Sequence, residues 1–178
     1  MRLFISIDFP KEICHMLSKR VPDLDEWIKT AADKIHLTLF FIGDCLESEK
    51  DQLSMQLSEI SFTSFQLKTG PLGVFPNQKN PKILWCGLQE SEPLLMLQKK
   101  IDDRADYFRN KKESKPFKPH ITLARRKSGH GKEAAIQKLL DETFDPLTVR
   151  VDSFHLKQSI LKPEGAEYMN LKTFRAQQ

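Results

Sequence analysis

Two tetrapeptides hold the residues of this chain best suited to chemistry: His36-Leu37-Thr38-Leu39 and His120-Ile121-Thr122-Leu123. They lie 84 residues apart, near half of the 178-residue length. Each falls in an apolar, β-branched run that predicts a strand, where side chains at i and i+2 project from one face. His and Thr of each motif therefore share a face, and Leu37 with Leu39, or Ile121 with Leu123, share the opposite one. The expectation is two polar ledges, each backed by an apolar layer that helices can cover. Facing each other across a cleft, the ledges would bring two imidazoles and two hydroxyls onto one small anion.

That set suits phosphodiester chemistry. A neutral imidazole can take a proton from an attacking water while a protonated one gives a proton to the leaving oxygen. Imidazole offers both forms near neutrality, its unperturbed pKa being about 6.5. Threonine hydroxyls can donate to non-bridging phosphate oxygens, and a nearby arginine, Arg125, can neutralise charge that builds up there. Neither histidine has a partner at H-x-H or H-E-x-x-H spacing and no carboxylate cluster flanks them, so neither a metal nor another cofactor is expected.

Other residues are weighed against plainer roles. Alternation carried forward from His36 and Thr38 puts Phe40 on the ledge side, where it can stack on a base; core packing is the competing role. His130 falls in the turn Ser128-Gly129-His130-Gly131, which lacks the P-loop pattern, and reads as a solvent loop. His155, between Phe154 and Leu156, reads as a surface or core histidine, and His15 has no partner in view.

The elements needed to hold the ledges are legible around them. Strand-like runs cover residues 3–7, 35–42, 65–68 with 73–75, 83–88, 120–124, 149–156 and 168–174. Helical patterns cover 11–20 after Pro10, 48–60, 91–108 behind Ser91 and Pro93, and 132–140. Strands come in runs between helices, which favours an α+β layer arrangement over an alternating parallel sheet. Residues 1–178 read as one two-lobed domain and as a monomer.

Charge is uneven. The chain has 28 Lys+Arg against 24 Asp+Glu, a net +4. From Arg109 to Lys127 there are eight basic residues and one acid, a local +7, leaving −3 on the remainder. Such a segment, leading into His120 and out through Arg125, either steers phosphate or is a solvated loop. A mean hydropathy of −0.46 and the lack of any long apolar run exclude a membrane-spanning helix. The N-terminal MRLFISIDFP reads as a first strand, not a secretory signal. Three widely spaced cysteines without a C-x-x-C pair point to free thiols in a reducing cytoplasm.

With these motifs and their flanks the chain resembles the two-histidine phosphoesterases, defined by paired H-x-T-x motifs, and among them the bacterial and archaeal RNA 2′,3′-cyclic phosphodiesterases, formerly described as 2′-5′ RNA ligases. The resemblance runs through MRLFISIDFP, Trp27, IHLTLFFIGD (35–44), GVFPN (73–77), PKILWCGL (81–88), PFKPHITLAR (116–125) and SFHLKQSILKPEGAEYMNLKTF (153–174). It implies a bilobal, pseudo-symmetric α+β fold, with two antiparallel sheets flanking a central groove and helices outside. It also implies metal-independent hydrolysis of a terminal 2′,3′-cyclic phosphate to a 2′-phosphate, the substrate being an RNA 3′-end or a cyclic-phosphate nucleotide. His36 would then be the proton donor to the leaving 3′-oxygen and His120 the acceptor from water, with Thr38, Thr122 and Arg125 holding the phosphate. One departure stands out. Where the family commonly has a basic residue followed by Leu-Gly-Glu, this chain reads Phe40-Phe41-Ile42-Gly43-Asp44. The same residues would also serve a phosphoesterase or ligase acting on 2′-5′ linkages or cyclic-phosphate nucleotides, or a non-catalytic module that binds RNA ends.

Overall fold

A computed structural model describes residues 1–109, 116–127, 133–163 and 165–177. The chain runs β1 (Arg2–Asp8), α1 (Lys11–Lys19), β2 (Trp27–Lys29), β3 (His36–Asp44), α2 (Glu47–Ser58), β4 (Phe65–Phe75), β5 (Ile83–Leu88), α3 (Glu92–Ala105), β6 (His120–Arg126), α4 (Glu133–Asp141), β7 (Thr148–Val151), β8 (Ser153–Lys162) and β9 (Gly165–Arg175). Short 3₁₀ turns at Ala32–Lys34 and Asp106–Phe108 lead into β3 and out of α3. The α+β expectation holds.

All named strand pairs are antiparallel, in the order β7-β4-β5-β6-β3-β1-β8-β9, with β2 added against β6. The two halves of this sheet, expected as separate sheets, touch through one residue pair, Leu37 opposite Ile121. Beyond that pair β3 and β6 diverge, and β2 takes over the edge of β6 from Ala124 to Arg126. The two histidine strands thus lie at the seam, each the innermost strand of its own half.

The apolar face of each motif anchors the seam. Leu37, Leu39, Ile121 and Leu123 are at most 2 % exposed and belong to one core that runs through both halves. Burying each is worth about 1.5–3 kcal/mol. Helices α2 and α3 lie over this face and bring in Leu53, Leu57, Leu94, Leu97 and Ile101. Their starts are set locally: Glu49 accepts from the Leu46 amide at 2.8 Å, and Ser91 accepts from the Leu94 amide at 3.4 Å.

Both histidine strands are bulged, and at the same place. Ile5 stands opposite Phe40 while Ser6 stands opposite Thr38, so Leu39 has no partner on β1. Leu84 stands opposite Ala124 while Trp85 stands opposite Thr122, so Leu123 has none on β5. An extra residue at a bulge breaks the two-residue alternation. Two consecutive side chains then turn inward, Leu39 with Phe40 and Leu123 with Ala124, all four buried.

Candidate active site

The tertiary structure closes the two ledges around a groove of about 460 Å³. His36, Thr38, His120, Thr122 and Arg125, the five residues expected to carry chemistry, all line it. Phe40 does not. The expected stacking role there is corrected by the β3 bulge: Phe40 is 3 % exposed, and its ring lies beneath the Arg109 guanidinium at 4.0 Å. The neighbouring Phe41, 49 % exposed, lines the groove instead. It stands five residues after His36, as Arg125 stands five after His120. Comparing the two motifs position by position, rather than extending alternation, would have found it.

Each imidazole is oriented by the backbone. His36 Nδ1 is 2.8 Å from the Lys34 carbonyl oxygen and His120 Nδ1 is 2.7 Å from that of Lys118, two residues upstream in both cases. A carbonyl only accepts, so each Nδ1 carries a proton and donates it, and the nitrogen left for another partner in each ring is Nε2. At the first ledge Nε2 lies 3.1 Å from the Thr38 hydroxyl, in the same groove-facing pair.

Each ring is also held between two aromatic side chains from distant strands. His36 meets Phe4 from β1 and Tyr168 from β9, at centroid separations of 5.2 and 5.1 Å. His120 meets Phe75 and Trp85, from β4 and β5, at 4.9 and 6.3 Å. The Lys118 ammonium lies 4.8 Å from the Trp85 ring and 5.4 Å from Phe75. Sequence reasoning missed these four aromatics; all four fall inside segments that carried the family resemblance, yet none sits beside a motif.

Burial pushes both imidazoles below their ordinary value of 6.5, and the carbonyl bonds oppose it. Their charged surroundings differ. At His36, Lys157 and Arg125 favour the neutral ring while Asp8 favours the imidazolium. At His120 both nearby cations, Arg125 and Lys118, favour the neutral ring. Asp8 and Lys157 are themselves paired at 2.6 Å. Arg2, Lys34 and Arg125 line the groove, and no acidic side chain does among the described residues. A phosphate there is attracted, and its charge raises both imidazoles in turn.

The remaining candidates sort clearly. In the basic segment, Arg109 turns inward over Phe40 and pairs with Asp102 at 3.1 Å, and Arg126 reaches Glu26 at 3.3 Å. Only Lys118 and Arg125 of its described cations reach the ledge; Lys111, Lys112 and Lys115 lie outside the described residues, as does His130. His155 is bonded to Thr173 at 3.0 Å and does not line the groove. The three cysteines are free and buried. Among the described residues no group of three or more His, Cys, Asp or Glu could hold a metal ion, and no helix is long and apolar enough to cross a membrane.

Comparison with known proteins agrees with this arrangement. Residues 28–159 match the model of the 2′-5′ RNA ligase superfamily. The chain belongs to that family. It is 31 % identical to an RNA 2′,3′-cyclic phosphodiesterase of Archaeoglobus fulgidus over 178 residues, 98 % of this chain and 99 % of the other. A second RNA 2′,3′-cyclic phosphodiesterase, from Thermotoga maritima, is 29 % identical over 94 % of this chain and 91 % of its own. Among solved structures, Escherichia coli LigT complexed with 3′-AMP superposes with a TM-score of 0.79 at 27 % identity, covering 99 % of this chain and 98 % of that one. As a two-histidine phosphoesterase of this superfamily, the chain carries the paired ledges on an open antiparallel sheet.

Proposed function

We propose that this groove hydrolyses the 2′,3′-cyclic phosphate at an RNA 3′-end, or on a nucleotide, to a 2′-phosphate. The observation that carries the reading is the mirrored pair of tethered imidazoles, each with its Nδ1 spent on a carbonyl and its Nε2 committed to one cation-lined groove. The relatives named for this activity support the choice of substrate.

The steps follow from the ledges. Phosphate oxygens accept from Thr38 and Thr122 and pair with Arg125, which also offsets charge gained as water adds to phosphorus. His120, kept neutral by burial and then by Arg125 and Lys118, takes a proton from the attacking water at Nε2. The bond from phosphorus to O3′ breaks as His36, protonated, gives its Nε2 proton to that oxygen. Against burial and Lys157, the Lys34 carbonyl and, after it, Asp8 favour the charged form this requires. One water is consumed, a free 3′-hydroxyl and a 2′-phosphate remain, and proton exchange with solvent restores both rings. Phe41, across from Arg125, is the aromatic that can take a base.

The test is direct. Adenosine 2′,3′-cyclic phosphate is incubated with the protein in EDTA, and the products are separated by chromatography. Conversion to the 2′-monophosphate is expected. The 3′-monophosphate would overturn the assignment of acid and base, and unchanged substrate would leave a module that only binds RNA ends.

A further inference from the structure

Beyond His36 the groove does not end. A second hollow of about 440 Å³ adjoins the first, and Lys34, His36 and Tyr168 line both. Lys11, His15, Asp8 and Asp33 also line it. Lys157 also reaches it, but its ammonium is engaged by Asp8. Neither Lys11 nor Lys34 has an ion-pair partner among the described residues. Two uncommitted ammonium groups in a concavity fit a phosphodiester, and Asp33 supplies an acceptor for the ribose hydroxyl or base amino groups that accompany one in RNA.

Reaction geometry says which way the RNA must run. Water and the leaving oxygen occupy opposite sides of phosphorus in an in-line displacement. The leaving O3′ belongs to the terminal ribose, so that nucleoside lies on the side of the proton donor, and the chain continues from its 5′ side. With His36 as donor, the nucleotides upstream extend past His36, toward the second hollow and away from Lys118.

We propose that the hollow behind His36 is the subsite for the penultimate nucleotide of an RNA substrate, with the phosphodiester joining it to the terminal nucleotide bound by Lys11. The subsite rests on the function proposed above and adds to it a preference for oligonucleotide ends over mononucleotides.

The experiment compares adenosine 2′,3′-cyclic phosphate with the dinucleotide ApA ending in a 2′,3′-cyclic phosphate, using wild-type protein and Lys11→Ala. Lys11 is exposed at the first turn of α1, so the substitution leaves the core intact. The expected result is a rise of about fivefold in KM for the dinucleotide, the worth of one charge-assisted contact at an open site, with kcat unchanged. KM for the mononucleotide should move less than twofold. The dependence of log KM on log salt for the dinucleotide should lose about 0.7 of slope, one single-strand phosphate contact. Equal effects on both substrates, or none on either, overturn the subsite while wild-type turnover keeps the underlying function. A rise in KM from Lys118→Ala that is confined to the dinucleotide, with the mononucleotide KM unmoved, puts the RNA on the opposite side and also overturns it. If wild-type protein turns over neither substrate, the function itself fails and the subsite with it.

Discussion

The His36 ledge and the His120 ledge share a backbone plan and differ in what surrounds it. Both have a His-x-Thr pair, a bulge one residue later, a carbonyl at i−2 on Nδ1 and an aromatic pair on the ring. At the fifth position after the histidine one carries Phe41 and the other Arg125. One ring sees Asp8 and Lys157 beside it, while the other sees Lys118 and Arg125. A near-symmetric frame can place two identical groups; only the unequal neighbours let them do opposite work. On the proposed reading the first ledge, with an acidic neighbour, serves as the acid, and the second, with cations alone beside it, serves as the base.

The largest way to break this comparison is to remove either ring. His36→Ala and His120→Ala are each expected to lower kcat about a thousandfold, with circular dichroism unchanged and the double variant no worse than the singles. A variant retaining a tenth of the activity would show that its ledge is dispensable. In the wild type, kcat/KM should be bell-shaped, because the proposed roles need His120 neutral and His36 charged. Burial lowers both rings in the free protein, so the maximum should lie below pH 6.5 and activity should fall through neutrality. The kcat profile should lie at higher pH, since bound phosphate favours the imidazolium.

Next in size is the fifth position. Arg125→Ala is expected to lower kcat about a hundredfold by removing charge stabilisation. Phe41→Ala should instead raise KM several-fold with little change in kcat, so steady-state kinetics on both variants separate gripping from chemistry. Phe40→Ala offers the contrast: about 3 kcal/mol of stability lost in urea melts for an inward ring.

Smaller again is the seat of one clamp. Gly73 stands opposite Trp85, and a Cβ there would overlap the six-membered ring of the indole. Gly73→Ala should displace Trp85 from His120 and lower kcat/KM about tenfold, with a shift in tryptophan emission. The titration of His36, followed by NMR of its ring proton, should stay in place. Smallest is the charge pair at the first ledge. Asp8→Asn should lower the His36 titration and Lys157→Met should raise it, leaving His120 unmoved. Movement of both histidines together would merge the two ledges into one electrostatic unit.

Much of this was readable in the chain. The motif spacing located both ledges, and the apolar alternates Leu37, Leu39, Ile121 and Leu123 went to the core as periodicity demands. Strand 83–88 has the expected bounds, whereas β4 runs on through Gly70 and Pro71 and joins the two pieces expected at 65–68 and 73–75. Trp27–Lys29 was not seen as a strand because three residues carry no period and its pairing with β6 is tertiary. Phe40 was misplaced because a bulge depends on the partner strand, which local alternation does not contain. The aromatic clamps escaped for a related reason: Phe4, Tyr168, Phe75 and Trp85 gain meaning only when strands far apart in sequence come together.

The carbonyl bonds that fix the two imidazoles come from residues 34 and 118, and in both the donor's partner is main chain. No substitution at either position other than one that reroutes the backbone can remove such an acceptor. Both side chains, Lys34 over the groove and Lys118 over Trp85, are therefore free to vary without disturbing which nitrogen reacts. Substitution there can retune the charge around the groove, and with it the protonation of His120, while the tautomer that points each Nε2 to the groove is kept by the path of the chain.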